Sequence, residues 1–187
     1  MNVILFGPPG AGKGTQAHHI VNKFKLFQIS TGDLLRTEIK KKSPIGKEIE
    51  NIISKGDFAT DDIVNNLIKN AISDPQKKNK LIFDGYPRSL SQAKNLNILL
   101  DNSNQKIDFI LFLNVNKNTI IKRIEKRKIL EKRTDDDQIT ILKRYDTYME
   151  TTKPVLDFYS KNPNFYEIDG DEEISIISSK IEQILTV

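Results

Sequence analysis

A three-layer α/β sandwich around a five-stranded parallel sheet is predicted by three observations. Five short apolar runs are spaced along the chain, each rich in Ile, Phe, Leu or Val and short enough for a strand buried on both faces. Stretches of helical periodicity separate them, and strand followed by helix five times over is the pattern of a doubly wound parallel sheet. Between the second and third runs about 50 residues read as helix alone, more than one crossover needs, so a helical insertion at the sheet's edge is expected.

In chain order the strands are expected at Asn2–Phe6, Phe27–Ile29, Lys80–Phe83, Phe109–Leu113 and Phe165–Ile168. The helices are expected at Gly14–Phe24, Asp33–Lys41, Ile45–Ser54, Asp61–Ala71, Leu90–Leu100, Thr119–Lys126, Gln138–Tyr159 and Glu172–Ile184. Pro44, Pro75, Pro87, Pro154 and Pro163 mark helix starts or turns. There is no internal repeat and no low-complexity tract beyond Lys-Lys and Asn-Asn pairs.

A length of 187 residues suits one compact domain with its own core. No apolar run approaches the roughly 20 residues of a membrane span. The start of the chain lacks the basic lead of a signal peptide. The chain has no Cys, which excludes disulfides and thiolate metal sites. The cytoplasm is therefore the expected compartment. A formal charge of +4 raises the question of nucleic acid. Lys is spread thinly among acidic residues along the whole chain, so a solvated basic surface is the better reading. Of 29 basic residues 23 are Lys and six are Arg, namely Arg36, Arg88, Arg123, Arg127, Arg133 and Arg144. In so lysine-rich a chain, Arg marks places that need a planar, bidentate fork.

The strongest motif is Gly7-Pro8-Pro9-Gly10-Ala11-Gly12-Lys13-Gly14-Thr15, set between a strand and a helix as a phosphate-binding loop requires. Glycines let backbone N–H groups turn toward a polyphosphate, the helix adds its positive end, and Lys13 reaches the outer phosphates. The position after Lys13, where Ser or Thr commonly holds Mg²⁺, is Gly14, and the hydroxyl comes one later at Thr15. Magnesium is then expected to be held through water by Asp84, at the C-terminal end of the third strand.

This loop resembles that of the nucleoside monophosphate kinases, and three further blocks extend the resemblance over nearly the whole chain. They are Ser30-Thr31-Gly32-Asp33-Leu34-Leu35-Arg36, then Asp84-Gly85-Tyr86-Pro87-Arg88 leading to Gln92, then Arg133-Thr134-Asp135-Asp136 leading to Arg144. In order and spacing they are similar to the adenylate kinase family. The resemblance implies a core (1–29, 60–125, 137–187), a monophosphate-binding subdomain (30–59) and a lid (126–136). It implies reversible transfer from Mg·ATP to AMP, with no nucleic acid, no membrane and a monomeric chain. Arg36 and Arg88 are expected on the AMP phosphate. Arg123 and Arg127 are expected on ATP, with Arg133 and Arg144 serving the AMP and transfer side. Lys13, Arg88, Arg123, Arg133 and Arg144 form the catalytic set. ATP is expected to meet Gly10, Ala11, Gly12, Gly14, Thr15 and the backbone near Gly170–Glu172. The AMP base is expected among Thr31, Gln92, the backbone of Asp57, Phe58 and Ala59, and Val64 as an apolar wall. Gly85, Tyr86 and Pro87 complete that site. Thr31 speaks for adenine, since pyrimidine kinases of this fold often carry Ala there.

The lid is short, and without a Cys or His cluster it is not expected to hold structural zinc. Glycines commonly flank such lids. Here Lys128 and Lys132 stand in their places, so slower opening or a partly helical lid is expected. Asn116-Lys117-Asn118-Thr119 lacks the carboxylate of a guanine reader and is taken as a helix start. His18 and His19 are read as surface residues. Tyr145, Tyr148, Phe158 and Tyr159 are read as core, and Asp135 and Asp136 as a cap that orients lid arginines.

Overall fold

The computed structural model describes residues 1–54, 57, 59–131 and 138–186. Five strands, β1 (Asn2–Phe6), β2 (Phe27–Ser30), β3 (Leu81–Asp84), β4 (Phe109–Asn114) and β5 (Phe165–Asp169), form one sheet in the order β2-β3-β1-β4-β5. All four pairings are parallel. Successive side chains of a strand point to opposite faces. Val3 and Leu5 therefore serve one core and Ile4 and Phe6 the other, and all four are buried.

Two helical layers cover these faces. On the Val3 face lie α1 (Lys13–Phe24), α6 (Lys117–Glu131) and α9 (Ile174–Leu185), through Ile20, Ile124 and Ile181. On the Ile4 face lie α4 (Asp61–Ile72), α5 (Leu90–Asn102) and α8 (Lys153–Tyr159), through Ile68, Leu96 and Val155. The stretch after edge strand β2 is helical as expected. It comprises α2 (Thr31–Lys40), α3 (Pro44–Ser54) and α4, followed by a 3₁₀ turn at Pro75–Lys77. Ser30 caps α2 by accepting the N–H of Asp33. At Gly46 a Cβ would strike the Glu38 carbonyl, so α2 and α3 approach backbone to backbone.

Three elements differ from expectation. The single helix over 138–159 is two, α7 (Gln138–Thr151) and α8, meeting at Thr152. Pro154 explains the break, because it has no N–H to bond back into α7. Phe158 on α8 is 42% exposed rather than core, whereas Tyr148 and Tyr159 are buried. Helix α6 does not stop near Lys126 but continues to Glu131. No Gly or Pro interrupts residues 127–131, and Lys, Arg, Leu and Glu all favour helix. The expected lid at 126–136 thus begins inside α6, and its residues 132–136 lie outside the described ones. Among the described residues no helix is long and apolar enough to cross a membrane.

Truncating Ile4, fully buried at the sheet's centre, is expected to cost about 2–5 kcal/mol in Ile4→Ala. Gly46→Ala is expected to cost about 1–3 kcal/mol by forcing α2 and α3 apart. Both should lower the urea midpoint in equilibrium unfolding, and an unchanged midpoint for Gly46→Ala would contradict the close approach.

Candidate active site

Parallel register sets the site. Leu5 pairs with Asp84, and Asp84 pairs with Ser30, so the C-terminal ends of β1, β3 and β2 lie level. Ligands gather at this edge of an open α/β sheet. The chain leaving β1 curls through Gly10 and Gly12, at φ 83° and 90°, before entering α1. These left-handed angles favour glycine. A Cβ on Gly10 would also meet the Ile124 side chain at 2.8 Å. Gly12 is the N-cap of α1 and no side chain caps it, so the positive end of the helix carries no side-chain acceptor of its own.

Lys13 folds back over the loop, its Nζ donating to the carbonyls of Gly7 (2.7 Å) and Pro8 (3.0 Å). Burial lowers its ammonium to about 8; Asp84 opposes this, while Arg88, Arg144 and Arg127 add to it. The loop opens on a cavity of about 920 Å³, which also receives Arg36, Arg88, Arg123, Arg127 and Arg144. Five of the six arginines thus converge, and Arg133 lies outside the described residues. Gly10, Ala11, Gly12, Gly14, Thr15 and Pro87 line the same space.

Arg36 comes from α2, Arg88 from the turn after β3, Arg123 and Arg127 from α6 and Arg144 from α7. Arg88 Nε donates to the Gly85 carbonyl at 2.7 Å. Its guanidinium is pushed down to about 10, chiefly by burial and then by Arg144, with Asp84 opposing. Arg36 pairs with Asp33 at 2.6 Å. Arg123, on α6, donates to the carbonyls of Ala11 (3.3 Å) and Glu172 (3.4 Å). Arg144 shares one face of α7 with Tyr148, four residues on, and the Thr152 hydroxyl at the α7–α8 junction donates to the Arg88 carbonyl at 3.2 Å.

A smaller pocket of about 50 Å³ adjoins this space and shares Arg36, Gly85, Arg88 and Arg144 with it. Thr31, Gly32, Leu35, Ile53, Asp57, Ala59, Val64 and Gln92 complete its lining. Phe58 lies outside the described residues. The Thr31 hydroxyl donates to the Gly85 carbonyl at 2.9 Å. Both ends of the Gln92 amide are engaged, with Arg88 N–H at 2.7 Å and Asp61 at 2.7 Å.

Two expected residues stand elsewhere. Tyr86 belongs to the core, fully buried, with its hydroxyl donating to Asn65 at 2.8 Å. Glu172 offers its carbonyl to Arg123 and its carboxylate to Lys180, while Ile174 and Ile177 form the adjacent cavity wall. The sequence reading missed Gln28, Tyr148, Thr152 and these two isoleucines. The signal for Tyr148 and Thr152 was there, at four and eight residues from Arg144. Gln28 gave none, because a pairing across strands brings it to Asp84, to which its Nε2 donates at 3.0 Å.

The Asn116–Thr119 stretch is a helix start: Asn116 Oδ1 accepts the N–H of Thr119 at 3.0 Å and Nδ2 donates to Asp171 at 2.7 Å. His19 pairs with Glu182 at 2.8 Å, and exposed His18 stands at the cavity rim. Asp135 and Asp136 lie outside the described residues. Among the described residues no three His, Asp or Glu stand together as metal ligands. A cation beside Asp84 would take most of its ligands from nucleotide and water, which suits Mg²⁺.

The adenylate kinase family model matches residues 5–164. The chain is 48% identical to the adenylate kinase of Pelagibacter ubique (strain HTCC1062), over the whole of both. It is 37% identical to that of Caulobacter sp. (strain K31), covering all of this chain and 99% of the relative. It is 34% identical to that of Nocardioides sp. (strain ATCC BAA-499 / JS614), covering all of this chain and 98% of the relative. The Pelagibacter alignment runs over 213 positions for 187 residues here, leaving 26 without a counterpart, whereas the Nocardioides alignment needs only 187. With its phosphate loop and converging arginines so arranged, the chain belongs to the adenylate kinase family.

Proposed function

We propose that the chain moves the terminal phosphoryl group of Mg·ATP reversibly to AMP, giving two ADP, and so balances adenine nucleotides. One observation carries this above all. A phosphate loop and five arginines open on one cavity, and a second, smaller pocket is reached past Arg36 and Arg88. A nucleotide-operated switch needs one phosphate site, whereas a transfer between nucleotides needs two.

In this reading the ATP phosphates lie on the loop from Gly10 to Thr15 with Lys13 on the outer pair. Arg123 and Arg127 flank them, and Ile174 and Ile177 form the adjacent cavity wall. Arg36 and Arg88 fork the AMP phosphate, as planar donors suit a phosphate better than a point charge does. The AMP base enters the small pocket between Thr31, Gln92, Val64, Gly85 and the backbone of Asp57 and Ala59. Arg133 and Arg144 serve the group in flight. Residues 30–59 act as the monophosphate-binding subdomain and 126–136 as a short lid, with which a chain of 187 residues is consistent. Mg²⁺, when bound with ATP, screens phosphate charge and orients its oxygens, and Asp84 would hold it through water. The chain's own contribution is positioning and charge neutralisation. We place the protein in the cytoplasm as a monomer.

A phosphotransfer assay with Mg·ATP against AMP, CMP, UMP and GMP should give ADP rapidly with AMP alone. Transfer only to UMP or CMP would overturn the reading of Thr31 and Gln92. Lys13→Met should lower kcat at least about a hundredfold. The same substitution should raise the melting temperature of the ligand-free protein at pH 7, because it removes a charge the fold holds at a cost. The sign follows from linkage. Between about 8 and 10.5 the unfolded chain holds more protons at Lys13 than the folded one, so stability of the unaltered protein rises across that window. The advantage of Lys13→Met should therefore shrink from pH 8 to pH 10.5, and a constant advantage would contradict the lowered ammonium.

A further inference from the structure

We propose that Asp61 is a specificity-determining positioning residue, which fixes the side-chain amide of Gln92 in one orientation toward the base pocket. The inference rests on reading that pocket as the AMP site. Gln92 is 4% exposed and lines the pocket, whereas Asp61 does not and stands behind it. Gln92 Oε1 accepts the backbone N–H of Arg88 at 2.7 Å, and Nε2 donates to Asp61 Oδ1 at 2.7 Å. Amide oxygen and nitrogen are readily exchanged by a half turn, so orientation must come from the partners. A backbone N–H only donates and a carboxylate only accepts. Both partners therefore demand the same orientation.

Asp61 is itself held. Its Oδ2 accepts the Ser89 hydroxyl at 2.8 Å, and Ser89 is the N-cap of α5, accepting the N–H of Gln92 at 3.1 Å. Asp61 opens α4 where the chain returns from the insertion to the core. The starts of α4 and α5 are thus tied together through the same two side chains.

The consequence is a fixed face for the base. With one N–H and one lone pair engaged, the Gln92 amide keeps one of each to offer, in positions that cannot be exchanged. Adenine has an amino donor at C6 beside a ring-nitrogen acceptor at N1. Hypoxanthine has the reverse, a carbonyl acceptor at C6 and an N–H donor at N1. A fixed amide serves the first arrangement and leaves bonds unmade with the second, which is how polar sites reject analogues. In Asp61→Asn the new carboxamide can donate as well as accept, so one of the two constraints is gone.

The test is calorimetric titration of AMP and of inosine monophosphate into the unaltered protein, Asp61→Asn and Ser89→Ala. Asp61→Asn should weaken AMP binding and narrow the AMP preference, each about tenfold, with ATP affinity unchanged. Ser89→Ala removes a helix cap and one of the two bonds of Asp61 but leaves its bond to Gln92, so it should lower the melting temperature and narrow the preference less than Asp61→Asn does. An unchanged preference in Asp61→Asn would overturn the proposal, as would an equal loss in Ser89→Ala, which would mark a general effect of stability. Should Asp61→Asn not fold, Asp61→Ser keeps a helix-start hydroxyl and is judged by the same preference. An unaltered protein that favoured AMP yet transferred no phosphoryl group would count against the kinase reading and not against this one.

Discussion

Positive charge crowded at one edge of the sheet is the constraint on which the rest of this structure depends. Lys13 and five arginines converge on one cavity with Asp84 and Asp33 as the carboxylates among them. Burial disfavours the charged form most, and the neighbouring like charges deepen the effect, so Lys13 is pushed down to about 8 and Arg88 to about 10. Such an arrangement costs stability in the ligand-free chain and is offset when phosphate supplies the missing negative charge.

The scaffold bears this cost through ordinary means. Two apolar layers sandwich the sheet, and parallel register sets the loops after β1, β2 and β3 side by side. Within the site, backbone carbonyls take the donors that phosphate oxygens would take. Lys13 bonds Gly7 and Pro8, Arg88 bonds Gly85, and Arg123 bonds Ala11 and Glu172. Each cation thereby fastens the loop it stands beside. A bound nucleotide must draw these donors away, so substrate binding and loop geometry are linked by the same hydrogen bonds.

Most of the fold was legible in the sequence because parallel strands buried on both faces leave continuous apolar runs, such as Val3-Ile4-Leu5-Phe6. The phosphate loop and the arginines were legible because their chemistry tolerates few substitutes, and rare Arg among common Lys marked the positions. What escaped depends on tertiary placement. The break at Thr152 needed the position of Pro154 to be weighed against a helical periodicity that runs through it. The reach of α6 to Glu131 was obscured by expecting a lid at Lys126, although nothing in residues 127–131 stops a helix. Gln28 meets Asp84, and Asp61 meets Gln92, only through the packing of distant segments, and no local pattern announces either pair.

In the proposed function, recognition of charge is divided from recognition of base. There, loop glycines and arginines take phosphate at the sheet's edge, while a hydrogen-bonded tie between two helix starts positions the amide that meets the base. The claim that phosphate supplies the charge the site lacks is tested most directly by counting protons taken up when ATP binds at pH 8. Calorimetry in buffers of different ionisation enthalpy gives that count. With Lys13 at about 8, the account predicts uptake of about half a proton, absent in Lys13→Met. Binding without proton uptake would contradict it.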